Sequence, residues 1–428
     1  MTFIFQKFRH NLNVGGVAAF IVLLFFGVAL LILLFNTVHN RSDEEFKNRL
    51  VRHHNKYIIT WIKNGYFEHG GLAFVKPLQQ EPKQSHAYGS MPMSYLQLAH
   101  LIQRINYVFN GEFGYYLMAV HNQFFPMLSS VLLGFLAMRL SLKLKTPPLH
   151  ALILGVSTLT VFQTFPVNLG AVWDIAPQDV WQPFAIYFLI RENSLDWKGY
   201  ASKNCFFWVF LVFFMFFIDP YVTFFFMLSY GIILITTLPK EFEVYKFLKS
   251  VFFAGGCAIL IIAIQINWVQ FNYPHFFLAR SSVLFRTGLD GDNQYYYSHL
   301  DLLWSPFEPW LPRWKILFSL GTFATMAVIF LVQWKRKHLS HQTILFMGVG
   351  SFLPMAFVFS QHGVIHLRFE HLLAVPLVLA LFALLPAWLE TFNRNSGVFV
   401  LFSILIAFAF SGVQMLAYWL HMPPIFFY

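Results

Sequence analysis

Charge is what this sequence has least of. Of its 428 residues only 11% are Asp, Glu, Lys or Arg, against about 25% in an ordinary soluble domain. Hydrophobic residues make up 57%, and the mean hydropathy is +0.58. A chain this poor in charge lacks the polar surface to fold alone in water, which excludes a soluble globular protein and leaves the multi-pass membrane class. Cysteine is nearly missing too: Cys205 and Cys257 stand far apart, in or at the edge of apolar runs, so no disulfide framework is expected and the redox compartment is left open. There are no ~10-residue segments of alternating polarity, which rules out a transmembrane barrel. Repeats of fixed period, low-complexity linkers, a nucleophile elbow and a phosphate-cradling glycine loop are all absent.

What the chain has is apolar runs, mostly of roughly 17 to 25 residues, enough to cross ~30 Å of hydrocarbon as helices. They fall near 15–37, 114–138, 149–166, 180–190, 205–218, 221–237, 251–269, 316–334, 343–361, 372–389 and 398–420. The expected fold is therefore all-α, a polytopic bundle of about eleven transmembrane helices forming one domain over 1–428. The first run is long enough to span and ends without a small-residue cleavage site, so it is expected to stay as a span.

Two polar segments interrupt the pattern: 38–113, a first external loop with interfacial helices, and 270–315, a second external loop. Sidedness follows from the basic residues. With the N-terminus inside, Arg139, Lys143, Lys145, Lys335, Arg336, Lys337 and Arg394 fall in cytoplasmic segments, while the short segments on the other side hold only Arg368. That is a positive-inside pattern and gives an N-in, C-out chain. The run 205–237 breaks at Asp219-Pro220 and reads as a hairpin of two short spans or as one kinked helix. The kinked form would turn the downstream basic residues outward. The net charge of +10 is accounted for by cytoplasmic basic residues beside lipid headgroups, so no nucleic-acid partner is expected.

The first loop opens on Asp43, Glu44 and Glu45, a few residues past the first run. A carboxylate at that level can serve as general base toward an acceptor hydroxyl, or can form the acidic first turn of a helix capped by Ser42. Phe46 to Asn64 reads as an amphipathic surface helix, with Phe46, Leu50, Tyr57 and Trp61 on one face. A turn at 65–71 then sets Glu68 beside His69. In the second loop Tyr296 and Trp304 stand among Asp290 and Asp292, a pairing that suits a sugar ring but equally an interfacial aromatic belt. His362, His366 and His371 share one short segment, with only Glu370 as a further ligand, so no metal site is assigned; a divalent ion there is the minor alternative.

Several of these stretches resemble the GT-C membrane glycosyltransferases. The acids Asp43-Glu44-Glu45 after the first span, the turn Asn64-Gly65-Tyr66-Phe67, and Ser90-Met91-Pro92-Met93-Ser94-Tyr95 before the second span are similar to that family's first-loop elements, with one proline of a pair missing. Trp173 to Asp179 and Leu367 to Leu377 are similar to two later ones. The likeness covers most of the chain in topology and about forty residues in motif.

The resemblance implies an enzyme in a bacterial inner (cytoplasmic) membrane that moves a sugar from a polyprenyl-phosphate donor to an acceptor on the external face. A carboxylate among Asp43, Glu44 and Glu45 is then the catalytic base. Arg280, Arg286 and Arg368, external and close to span ends, suit the lipid phosphate because guanidinium binds phosphate oxygens two at a time; headgroup snorkelling is their other explanation. Glu68, His69, Asp219, Tyr296 and Trp304 are the expected substrate-binding residues. Membrane lipids are partners and no cofactor is expected. The competing reading is a non-enzymatic multi-pass membrane protein, either a transporter or a subunit with membrane-protein partners; a transporter would keep charged groups at mid-membrane.

Overall fold

The computed structural model describes residues 12–39, 55–70, 95–164, 244–272, 378–390 and 397–419. All regular structure among them is helical: α1 (Leu12–His39), α2 (Asn55–Asn64), α3 (Tyr95–Asn110), α4 (Tyr115–Lys143), α5 (Pro148–Gln163), α6 (Val244–Asn272), a π-helical turn (Ala380–Leu384) running into α7 (Leu385–Glu390), and α8 (Val398–Trp419). Among the described residues four stretches are long and apolar enough to cross a membrane: Gly16–Leu34, Tyr115–Lys143, Gly255–Asn272 and Val398–Leu416. Helices α5 and Leu381–Glu390 are apolar but shorter. The expected spans at 180–190, 205–218, 221–237, 316–334 and 343–361 lie outside the described residues, as does the break at Asp219-Pro220.

Helices α1, α4, α5 and α8 pack on one another, and small residues set how closely. A Cβ added to Gly134 of α4 would lie 2.6 Å from the carbonyl oxygen of Gly155 in α5, and one on Gly155 would lie 2.8 Å from that of Gly134. No side chain fits between those two backbones. Beside this close approach, Leu23, Met127, Val131 and Leu159 form a buried cluster, flanked by an edge-on Phe20–Phe135 contact at 5.8 Å. Polar ties fix the register of the helices: Gln163 Nε2 donates to Gly27 O at 3.2 Å, and Thr164 Oγ1 donates to Ser411 Oγ at 2.7 Å.

Two local features depart from a plain reading of the sequence. The segment 139–148, expected as a loop, is helical to Lys143 and turns only over 144–147. Lys145 takes a left-handed φ of 66°. Its N–H reaches Leu142 O and that of Thr146 reaches Ser141 O, which satisfies the last carbonyls of α4 and lets Pro147-Pro148 start α5. The π-helical turn precedes Pro386, whose missing N–H cannot serve the carbonyl of Phe382; Ser403 of α8 donates to that oxygen at 3.4 Å.

At one end of the bundle His150, in the first turn of α5, pairs through Nδ1 with Glu390 at the end of α7, and Gly397 lies against the same imidazole. At the opposite end of α4 stand the first-loop helices α2 and α3. Gln103 of α3 clamps Gly114, donating from Nε2 to its carbonyl at 2.8 Å and accepting its N–H at 2.9 Å. That double bond sets the angle at which α3 hands over to α4.

Candidate functional site

The feature that brings distant polar residues together is the turn Gly65–Gly70, which follows α2. It starts because Gly65 takes φ 94°, a conformation that L side chains rarely adopt, and closes with Gly70 at φ 57°. Gly65 N–H caps α2 on Trp61 O at 3.1 Å. His69 turns inward, 2% exposed, and its Nδ1–H donates to Gly65 O at 2.7 Å, so the imidazole braces the turn from within. Glu68 is exposed, with its side chain folded back beside Gly65. Of the two residues expected to bind substrate here, Glu68 is therefore the one presented outward.

Aromatic packing ties the turn to α3. The rings of Tyr66 and His100 stack at 4.9 Å and 15°, and Trp61 meets both edge-on, at 5.3 Å and 5.6 Å. Trp61 is 1% exposed. Arg104, one turn beyond His100, donates to Ile62 O at 3.1 Å and so satisfies a carbonyl at the end of α2. On its far side the turn presses on α6: Trp268 Nε1–H donates to Phe67 O at 2.9 Å, and a Cβ on Gly70 would lie 2.8 Å from Val269 Cγ2 and 3.0 Å from Gln265 O. Glycine at 70 is needed for both conformation and space.

The electrostatics follow from burial. Tyr66 is pushed up from its ordinary range by burial, opposed by a hydrogen bond with Gln97. His100 is pushed down, chiefly by burial and then by the Arg104 cation, and its buried Nε2 has no hydrogen-bond partner. The imidazole at the centre of the cluster is thus neutral near pH 7.

A pH dependence follows. Because the folded value lies below the ordinary 6.5, the unfolded loop takes up a proton first as pH falls. The stability His100 permits is complete above about pH 6.5 and is lost progressively below it. Melting curves between about pH 7.5 and 5.5 should show the parent falling more steeply than His100→Phe, which keeps the ring stack and cannot titrate. Parallel curves would mean that the imidazole stays unprotonated or unimportant throughout.

Of the other expected site residues, Asp43, Glu44, Glu45, Asp219, Arg280, Arg286, Tyr296, Trp304 and Arg368 lie outside the described residues, as do His362, His366 and His371. Among the described residues no group of three or more His, Cys, Asp and Glu could hold a metal ion. The surface helix expected over 46–64 is described from Asn55 on. There Tyr57 and Trp61, read as its membrane-facing side, are buried by protein at 4% and 1% exposure. Sequence reasoning missed His100, Arg104 and Trp268. For Trp268 no local signal exists, since it meets the turn across 201 residues of chain.

Chemically, the arrangement offers one accessible carboxylate on a rigid turn whose neighbours are neutral aromatics and an inward imidazole. It can position a polar group beside the ends of α4 and α6, and Glu68 can accept a hydrogen bond or a proton there. Comparison with protein-family models, with curated proteins and with solved structures finds no match for this chain.

Proposed function

We propose that the chain is an integral membrane glycosyltransferase of GT-C type, moving a sugar from a polyprenyl-phosphate donor to an acceptor at the external face. The observation that carries this reading is the placement of the Gly65–Gly70 turn. It is locked to α3 through Tyr66 and His100, and to the end of α6 through Trp268, so the first loop forms a rigid platform where membrane helices begin and end. A lipid-borne phosphate can reach only that level, and a transferase acting on it needs its polar groups held there.

Two further observations agree. The first loop, the start of α4 and the end of α6 meet at one end of the bundle, while the start of α5, the end of α7 and Gly397 meet elsewhere. Alternating sidedness, with either end inside, requires that grouping. Among the described residues the four stretches long and apolar enough to cross a membrane carry no charged side chain except Arg139 and Lys143 near the C-terminal end of α4, which weighs against charges along a transport pathway there. In this reading Asp43 is the base, Glu68 binds the acceptor or donor sugar, and Arg280, Arg286 and Arg368 hold the phosphate.

Binding of polyprenyl phosphate to the full-length protein in detergent tests the reading without knowledge of the acceptor. Arg368→Gln should weaken it by about ten- to a hundredfold, the value of one charge-assisted contact, and Arg280→Gln or Arg286→Gln should do the same at one of the two positions. A parent protein that does not bind the lipid phosphate, or variants that bind it as tightly as the parent, would sink the assignment.

A further inference from the structure

Helix α3 carries an apolar face that stands exposed, with none of the described residues packed over it. Leu98, Leu101, Ile105, Val108 and Phe109 are between 48% and 82% exposed. At ~3.6 residues per turn they fall within an arc of about 100°. The opposite side of the same helix is the one the protein uses: Ala99 and Gln103 are buried, and Gln103 holds Gly114. This is the reverse of α2, whose apolar residues are consumed by packing.

Three observations identify what covers the α3 face. The first is level. Through Tyr66 and His100 the helix is tied to the turn that accepts the Trp268 hydrogen bond, so α3 sits where the membrane-crossing stretch of α6 ends. The second is continuity. Five residues past Asn110 the chain enters the membrane-crossing stretch of α4, whose outward Leu117, Val120 and Phe124 extend the exposed apolar surface. The third is composition at that level. Trp268 stands exposed there, an indole of the kind enriched where a bilayer gives way to water, with the exposed apolar rings of Phe67 and Phe271 at the same level.

We propose that α3 is an interfacial helix that lies in the surface layer of the bilayer, with its Leu98, Leu101, Ile105, Val108 and Phe109 face among the acyl chains. The membrane surface, and not a protein partner, is the occupant. The helix carries only one cation, Arg104, and that guanidinium serves Ile62 O. Its attachment therefore rests on apolar burial and on the neighbouring spans, and neutral lipid suffices. The consequence is positional: with its apolar face buried ~5–10 Å into the headgroup/acyl boundary, α3 fixes the depth of the turn bearing Glu68. The inference stands whether or not the chain transfers sugar.

Spin labels read this directly. In full-length protein with Cys205→Ser and Cys257→Ser, reconstituted into phosphatidylcholine vesicles, single labels are placed by Leu101→Cys, Ile105→Cys and, as a control on the polar side, Asn110→Cys. Oxygen concentrates in the bilayer and a nickel chelate stays in water. The ratio of oxygen to nickel collision rates should be at least about three-fold higher at 101 and 105 than at 110. Val108→Cys supplies the same reading should either variant fail to fold. Equal ratios at all positions would put the face in water, and low access to both reagents at 101 and 105 would put protein over it; either result overturns the proposal.

Discussion

Asp43→Asn is expected to lower sugar transfer by about 100- to 10,000-fold while the protein accumulates normally. Asparagine keeps the size of the side chain and its ability to accept a hydrogen bond, but it cannot take the proton of an acceptor hydroxyl. Asp43 follows His39, the last residue of α1, by only four positions in the sequence, a reach of at most about 14 Å of extended chain, and it is the first of the three acids. Glu44 and Glu45 are longer and further along, and their amide variants should cost far less. A carboxylate that merely decorates the surface changes stability by under about 0.5 kcal/mol and leaves turnover alone. The measurement is the initial rate of transfer per folded protein in vesicles. An Asp43→Asn protein working at the parent rate would end the assignment and move attention to Glu68, which the structure presents outward on a rigid turn.

The second large effect is on the first-loop platform. Trp61→Ala should destabilise it by about 3–5 kcal/mol, the usual cost of truncating a buried large aromatic. Trp61 is 1% exposed and touches both members of the Tyr66–His100 stack, so its loss opens a cavity where α2, the turn and α3 meet. The damage should be local, because the cluster ties the loop to the bundle and is no part of the α1–α4–α5 core. Hydrogen exchange over 55–70 should therefore accelerate by about a hundredfold or more while α4 and α5 keep their protection. Trp61→Phe, which fills most of the space, should cost under about 1.5 kcal/mol. Unchanged exchange in the alanine variant would show that the turn is held by Trp268 and Gly70 alone.

How much of this could be read from the chain differs element by element. The apolar runs near 15–37, 114–138, 251–269 and 398–420 appear as α1, α4, α6 and α8, because a stretch of that length without charge has little alternative to a helix. The boundaries were less legible. Arg139 and Lys143 suggested a loop, yet both fit a helix end, where cations meet the C-terminal dipole. Tyr57 and Trp61 do lie on one helical face, as their spacing required, but spacing is silent about what covers that face. In α2 it is protein.

Composition and spacing alone thus pointed to helices long and apolar enough to cross a membrane, which the described residues show in four stretches, and named the acids and arginines proposed for chemistry. Only the tertiary structure decided that His69 braces its turn from inside, that His100 rather than a neighbouring residue stacks on Tyr66, and that α3 keeps its apolar side uncovered. It also decided that Gly134 and Gly155 must be glycine, since each faces the other's carbonyl oxygen. The reason is physical: a helix is specified by contacts within a few residues, whereas tertiary contacts depend on partners as far as 201 residues away for Trp268 and the turn and 247 for Thr164 and Ser411.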